Sequence, residues 1–300
     1  MNSRDKTEGG LRPSRGPLPP LAWLGLLALS TSGAVYAESA EEVAAKLANP
    51  NTPLATMNLK LQYRTFEGDL PDADDQDSTT LLFQPSLPFS LDSGATVFFR
   101  PAIPIILDQS VPTLNDQAVV VDDLIDFETE TGIGDTGFDL AYGRTRKDGF
   151  LWAAGLVGSI PTADKDELGT DRWTLGPELI LGQLGKERVL VMLATHQWDY
   201  AGDGDAEINL TSVQLIATWL PGGGWNYGTS PNLTYDHEGD QWTVPLNFSF
   251  GKTVIWNDRP WKLGMEINYY VENADAYAPE WFVGFNIGPV VENKIAAWFK

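Results

Sequence analysis

Along most of this chain apolar and polar positions alternate one by one. In "WTVPLNFSFGK" (242–252), Trp242, Val244, Leu246, Phe248 and Phe250 fall on one side, and Thr243, Pro245, Asn247, Ser249 and Gly251 on the other. Successive side chains of a strand point to opposite faces, so the segment reads as a strand with one greasy face and one small polar face. The same period sets Leu59, Leu61 and Tyr63 against Lys60, Gln62 and Arg64. It sets Trp173, Leu175, Pro177 and Leu179 against Thr174, Gly176 and Glu178. Near the end it sets Leu263, Met265, Ile267 and Tyr269 against Gly264, Glu266, Asn268 and Tyr270, and Trp281, Val283, Phe285 and Ile287 against Gly284, Asn286 and Gly288. No stretch after residue 57 carries a helical period.

The pattern predicts about twelve strands, over 57–66, 78–89, 95–107, 133–145, 149–160, 172–182, 188–198, 209–220, 225–236, 241–252, 261–271 and 281–291. Strands of ~9–11 tilted residues cross a hydrocarbon core, whereas strands of soluble domains average about 5–6. The connectors alternate in kind. Those at 67–77, 108–132, 161–171, 199–208 and 273–280 are long or acidic, and 237–240 is a short exception; those at 90–94, 146–149, 182–187, 221–224 and 257–260 are tight. Segregating long loops at one end from short turns at the other is a requirement of an outer-membrane barrel.

What the greasy face touches is decided by cost. A Lys or Arg facing lipid near the midplane costs about 2–4 kcal/mol. The apolar rows carry no charge, and the mid-strand charges Lys60, Arg64, Arg100, Asp135, Asp139, Glu178 and Glu266 fall on the other face. That polar face is rich in Gly, Ser, Thr and Asn, unlike an ordinary solvated surface. Trp173, Trp225, Trp242, Trp261 and Trp281 stand near strand starts, where interfacial girdles sit. The expected fold is an all-β, transmembrane, antiparallel up-and-down barrel, with Trp173, Trp225, Trp242, Trp281, Leu246 and Phe248 facing lipid or its interface.

The ends of the chain read differently. Arg4, Lys6, Arg12 and Arg15 precede the apolar "LAWLGLLALS" (21–30), and "VYA" (35–37) offers small residues for cleavage. That order predicts a secretory signal peptide over 1–37, with a run too short to span a bilayer. Residues 38–56 contain one short helical stretch, "AEEVAAKLA", stopped by Asn49-Pro50 and Pro53; they are expected to form a periplasmic or plug segment before a barrel over 57–300. With no cysteine there is no disulfide scaffold. A net charge of -21 argues against nucleic acid as a partner.

Sequence motifs add little chemistry. "GIGDTG" (132–137) spells G-x-G-x-x-G, but an acidic loop precedes it and a strand follows, so it lacks the strand–turn–helix setting of a dinucleotide site. His196 and His237 are far apart in sequence and no nucleophile elbow accompanies them. The acidic loops lack the spacing of a calcium loop, and the three Asn-x-Ser/Thr triplets fall inside predicted strands. No catalytic residue, metal site or cofactor is expected. Interior-facing or rim positions fall to Lys60, Arg64, Arg100, Asp135, Asp139, Glu178, Asn232, Asp236, Asn247, Glu266, Asn268 and Glu272. Their carboxylate excess points to a cation-favouring pore. Equally, Lys60 and Arg64 could pair with Asp139, Glu178 or Glu266 across a packed interior.

"GIGDTGFDLAYG" (132–143), "GSIPTADKDELGTDRWTLGPELIL" (158–181), "QWTVPLNFSFGK" (241–252) and "NPNTPLATMNLKLQY" (49–63) resemble the outer-membrane proteins associated with the meta pathway of phenol degradation, a family often labelled "transporter" and sometimes misnamed neuromedin U. The resemblance implies a barrel that passes small aromatic or hydrophobic solutes by passive diffusion. Its motif positions are Gly134-Asp135, Pro161-Thr162-Ala163, Leu168-Gly169-Thr170, Trp173, Gly176-Pro177, Trp242, Pro245 and Gly251-Lys252, to be read as barrel architecture before transport. The chain departs from the family in carrying "VENKIAAWFK" beyond the last strand. Expected surroundings are outer-membrane lipid and lipopolysaccharide of a Gram-negative cell. Two further readings stay open, a structural barrel whose acidic loops bridge cations and a soluble ligand-binding sandwich.

Overall fold

A computed structural model of the chain describes residues 38–114, 125–205, 207–293 and 296. The predicted signal segment lies outside the described residues, as does most of the sequence after 293. The chain enters through a helix, α1 (Ala40–Leu47), followed by the strand segments β1 (Ala55–Glu67), β2 (Asp77–Ser90), β3 (Thr96–Leu114), β4 (Ile125–Ile133), β5 (Thr136–Thr145), β6 (Phe150–Ile160) and β7 (Arg172–Leu184). β8 (Arg188–Gly202), β9 (Asn209–Gly222), β10 (Trp225–Thr229), β11 (Asn232–Asp236), β12 (Gln241–Trp256), β13 (Arg259–Glu272) and β14 (Ala278–Val291) complete it.

Each strand pairs antiparallel with its neighbours, and β1 pairs with both β2 and β14, so the sheet closes on itself. Closure removes the free edges that hydrocarbon does not tolerate. The barrel has 12 staves, because two staves are each built from two segments. β4 and β5 succeed one another beside β3, and β10 and β11 lie end to end between β9 and β12.

Both interruptions have local causes. Between β4 and β5 the chain draws close to β3: Gly134 N–H donates to the Pro104 carbonyl at 3.1 Å, and a Cβ at Gly134 would stand 3.0 Å from Pro104 Cγ. Between β10 and β11 comes Ser230-Pro231, and proline has no N–H for the ladder. The 225–236 region is therefore two segments, where alternation alone predicts one.

The long 108–132 connector also differs from expectation. β3 continues to Leu114 and β4 returns from Ile125, pairing Val111 with Glu128 and Thr113 with Asp126. The loop is thus largely a hairpin that prolongs two staves beyond the barrel. Its charged, exposed residues hide the strand period because neither face of the hairpin meets lipid.

Outward rows are the greasy ones. Leu246 is 61% exposed, Phe248 53% and Phe285 51%. Two aromatic belts flank this band. At the short-turn end Trp219 stacks on Tyr227, Trp256 lies against Trp261, and Lys252 stands over the Trp225 ring at 4.5 Å. At the long-loop end Tyr235 packs on Trp242 and Tyr269 on Trp281, with Trp173 and Trp198 exposed nearby in the sequence of strand ends. The two-residue turn Asn257-Asp258 between β12 and β13 takes positive φ at both residues (50° and 56°), the backbone twist that such hairpins favour.

Candidate functional site

A segment of the chain crosses the short-turn mouth of the barrel. α1 starts with a reciprocal cap, Glu42 N–H donating to Ser39 Oγ at 3.2 Å and Ser39 N–H to Glu42 Oε2 at 2.9 Å. This frees the first turn from dependence on water. The Ser39 hydrogen bonds also hold the Glu42 carboxyl below its ordinary range. Val43 and Ala44 are buried against the staves β9, β10, β12 and β13, and Glu41 Oε2 accepts Gly223 N–H at 3.4 Å. Farther along, Asn49 Nδ2 donates to Thr145 Oγ1 at 3.3 Å on β5. Residues that touch β13 at one end and β5 at the other must span the opening.

Beneath this segment the interior is apolar. Phe98, Ala141, Leu151, Ala153, Ile180, Val189, Val191 and Leu220 form one buried cluster, joined by Ala48 of the crossing segment. Each large side chain so covered contributes about 1.5–3 kcal/mol relative to exposure. Sequence reasoning assigned the inner face to polar residues and missed this cluster. Its signal was present in "LWAAGLVG", where both faces are apolar.

Toward the middle the interior becomes charged, and the charges divide between two walls. On β3, β5 and β7, Arg100 Nε donates to both Asp139 oxygens at 2.9 and 2.8 Å, and its Nη2 lies 3.6 Å from Glu178 Oε1. Arg100 also lies over the Phe98 ring at 4.7 Å. Glu178 is 4% exposed and its Oε2 has no hydrogen-bond partner among the described residues.

The wall of β1, β13 and β14 carries Lys60, Arg64, Lys262 and Glu266. Register places Lys60 opposite Asn286, Gln62 opposite Gly284, and Gly284 opposite Glu266; Lys262 faces Gly288. Arg64 donates to Gln62 Oε1 at 3.1 Å and lies over the Phe282 ring at 5.0 Å. Glu266 is the carboxylate whose charge reaches Lys60, Arg64 and Lys262 together, yet none of these makes an ion pair among the described residues. Glycines on this wall let its polar groups lie flat. A Cβ on Gly264 would meet Asn286 Oδ1 at 2.1 Å, and one on Gly288 would meet Asn58 Oδ1 at 2.2 Å.

The other polar positions singled out in the sequence hold the frame together. Asn247 Oδ1 accepts Ser230 N–H at 2.6 Å, its Nδ2 donates to Asn268 Oδ1 at 2.8 Å, and so it closes the gap left by Pro231. Asp135 accepts from Ala163 N–H, Thr170 N–H and Thr170 Oγ1 at 3.2, 2.7 and 2.9 Å, pinning the 161–171 loop to the rim. Asn232 pairs in register with Gln214, Asp236 accepts Glu238 N–H at 3.0 Å, and Glu272 is exposed. Above the rim Tyr277 stacks on Phe66 at 4.6 Å, packs against Phe127 of the hairpin and donates to the Ser110 carbonyl at 3.1 Å. Burial, with Asp77 nearby, pushes its hydroxyl up to about 12.

The two histidines, separated by forty residues of sequence, meet in space. Thr211 Oγ1 lies 2.8 Å from both His196 Nδ1 and His237 Nε2, on the outward side of β8 and β9. No carboxylate is hydrogen-bonded to either ring among the described residues. Nor do three His, Asp or Glu residues there converge in a way that could hold a metal ion.

No protein-family model matches this chain, and no curated protein matches it in sequence. Solved structures do. An outer membrane channel from Pseudomonas putida F1 superposes with a TM-score of 0.61 at 13% identity, over 79% of this chain and 95% of that one. The NanC porin aligns at 0.47 and 9% identity, over 78% of this chain and 99% of that one. Outer membrane phospholipase A from Escherichia coli aligns at 0.45 and 10%, over 86% and 100%. The first of these shares the closed antiparallel barrel, and the chain is a β-barrel of the outer-membrane class.

Proposed function

We propose that this protein is an outer-membrane channel passing small solutes by passive diffusion, narrowed at its periplasmic mouth by residues 38–54. The observation that carries this reading is a barrel with a charged middle and one mouth spanned by a short segment held mainly by side-chain contacts. A purely structural barrel has no need of mid-membrane Lys60, Arg64 and Lys262, since ionisable residues at that depth are costly unless they serve a pathway. The likeness to a chain described as an outer membrane channel supports it, as does the motif resemblance to the phenol meta-pathway family. That resemblance makes small aromatic or hydrophobic compounds the solute class. Export follows from residues 1–37 acting as a signal peptide.

The test is conductance in a planar bilayer, comparing the protein purified from outer membranes with a variant lacking 40–48. The channel reading expects discrete steps, larger in the deletion. A folded, inserted barrel that stays silent in both forms is a structural element, a reading favoured by the apolar cluster that fills the mouth.

A further inference from the structure

The carboxylate excess of the inner face points in sequence to a cation-favouring pore, and pairing reverses that sign. Asp139 is held by Arg100 through both oxygens, and Glu178 shares the same guanidinium. Glu178 Oε2 is walled off from solvent. Arg100 therefore offsets one of the two negative charges, and Glu178, the other carboxylate, is buried away from the pathway. On the neighbouring wall of β1, β14 and β13, Lys60 and Lys262 have no hydrogen-bonded or ion-paired partner among the described residues, and Arg64 spends one N–H on Gln62. Glu266 offsets only one of three positive charges on that wall.

We propose that the wall of β1, β13 and β14 is a binding station for small carboxylates, with Lys60 and Lys262 as its anchors. Rings of Lys and Arg are what select anions in pores, and an ammonium–carboxylate contact is a strong, charge-assisted hydrogen bond. Lys60 registers with Asn286 and Lys262 with Gly288 on the intervening β14, where the small amides Asn286 and Asn58 lie over the glycines, while Glu266 and Phe282 cover Gly284 one inward position farther along. Asn286, laid flat over Gly264, adds an amide beside the anchors. Arg64, seated on Phe282, supplies a further positive group two inward positions farther along β1, beyond Gln62. This deepens the channel reading above and rests on it for its role in transport, though binding itself needs no conduction.

Two measurements separate the ideas. Saturation-transfer NMR with sodium benzoate in detergent micelles reads binding, and reversal potential under a KCl gradient reads selectivity. The protein is expected to bind benzoate and to favour chloride. Lys60→Gln/Lys262→Gln is expected to weaken benzoate at least about tenfold and to move the reversal potential toward cation preference, while Lys165→Gln on the outer loop changes neither. Should the double variant fail to show the heat-dependent gel migration of a folded barrel, Lys60→Gln and Lys262→Gln singly are read against Lys60→Arg, which keeps the charge and should keep binding. Benzoate binding in a protein that never conducts leaves this proposal standing and removes the channel. A conducting protein without benzoate saturation, or with saturation unchanged in the variants, overturns the station and leaves the channel.

Discussion

Arg100 grips Asp139, its partner across the β3–β5 ladder, with Nε placed 2.9 and 2.8 Å from the two carboxylate oxygens, and at the same time reaches Glu178 on β7. One guanidinium thus contacts both acidic side chains of its wall and offsets one of their two charges. Removing one partner of such a buried arrangement costs about 3–5 kcal/mol, because the other is left charged and unpaired. Arg100→Gln is expected to lower the urea unfolding midpoint in micelles accordingly, and Arg100→Gln/Asp139→Asn to recover part of the loss. Additive losses in the double variant would show that the two side chains are not coupled.

At the rim, Asp135 anchors the 161–171 loop through three hydrogen bonds from Ala163 and Thr170. Bonds to a charged acceptor contribute about 1.5–3 kcal/mol. Asp135→Ala should leave the barrel folded but free the loop. The expected readout is faster trypsin cleavage after Lys165, with Asp135→Asn intermediate; equal cleavage rates would mean that the loop is held elsewhere.

The outward row tests the membrane directly. Phe248 is 53% exposed at the middle of β12. Placing a cation there costs about 2–4 kcal/mol in lipid and almost nothing in a barrel surrounded by water. Phe248→Arg is expected to lower the stability of the bilayer-folded protein by that amount, measured by urea titration in liposomes. The inward Ser249→Arg variant probes the opposite face and should change conductance more than stability.

Tyr277 supplies a pH signature at the long-loop end. Burial, reinforced by Asp77, raises its hydroxyl to about 12, so the folded barrel favours the protonated phenol. A raised folded value means that its contribution is fully present below the unfolded value near 10. It is lost as pH climbs from there through about 12. Tyrosinate absorbance should show a late phase near pH 12 that Tyr277→Phe removes. The same substitution should also abolish the hydrogen bond to the Ser110 carbonyl and loosen the hairpin, seen as faster amide exchange at 108–114.

The identity of the two faces was legible in the chain itself, because alternation is a local property: Leu246 and Phe248 fall on one side of a strand and Asn247 on the other whatever the rest of the molecule does. So were the loop asymmetry and the aromatic ends of the staves. Partnership was not. In the sequence Lys60 and Arg64 are mates for any of Asp139, Glu178 or Glu266; the pairing of the staves gives Asp139 and Glu178 to Arg100 and leaves Glu266 on the wall of Lys60 and Arg64. Stagger between staves likewise brought His196 and His237 onto one threonine and set Phe98, Leu151 and Ile180 under Ala48. Which residues face inward follows from period two within a strand; which of them meet depends on register and closure, and those are set only when all the staves pair.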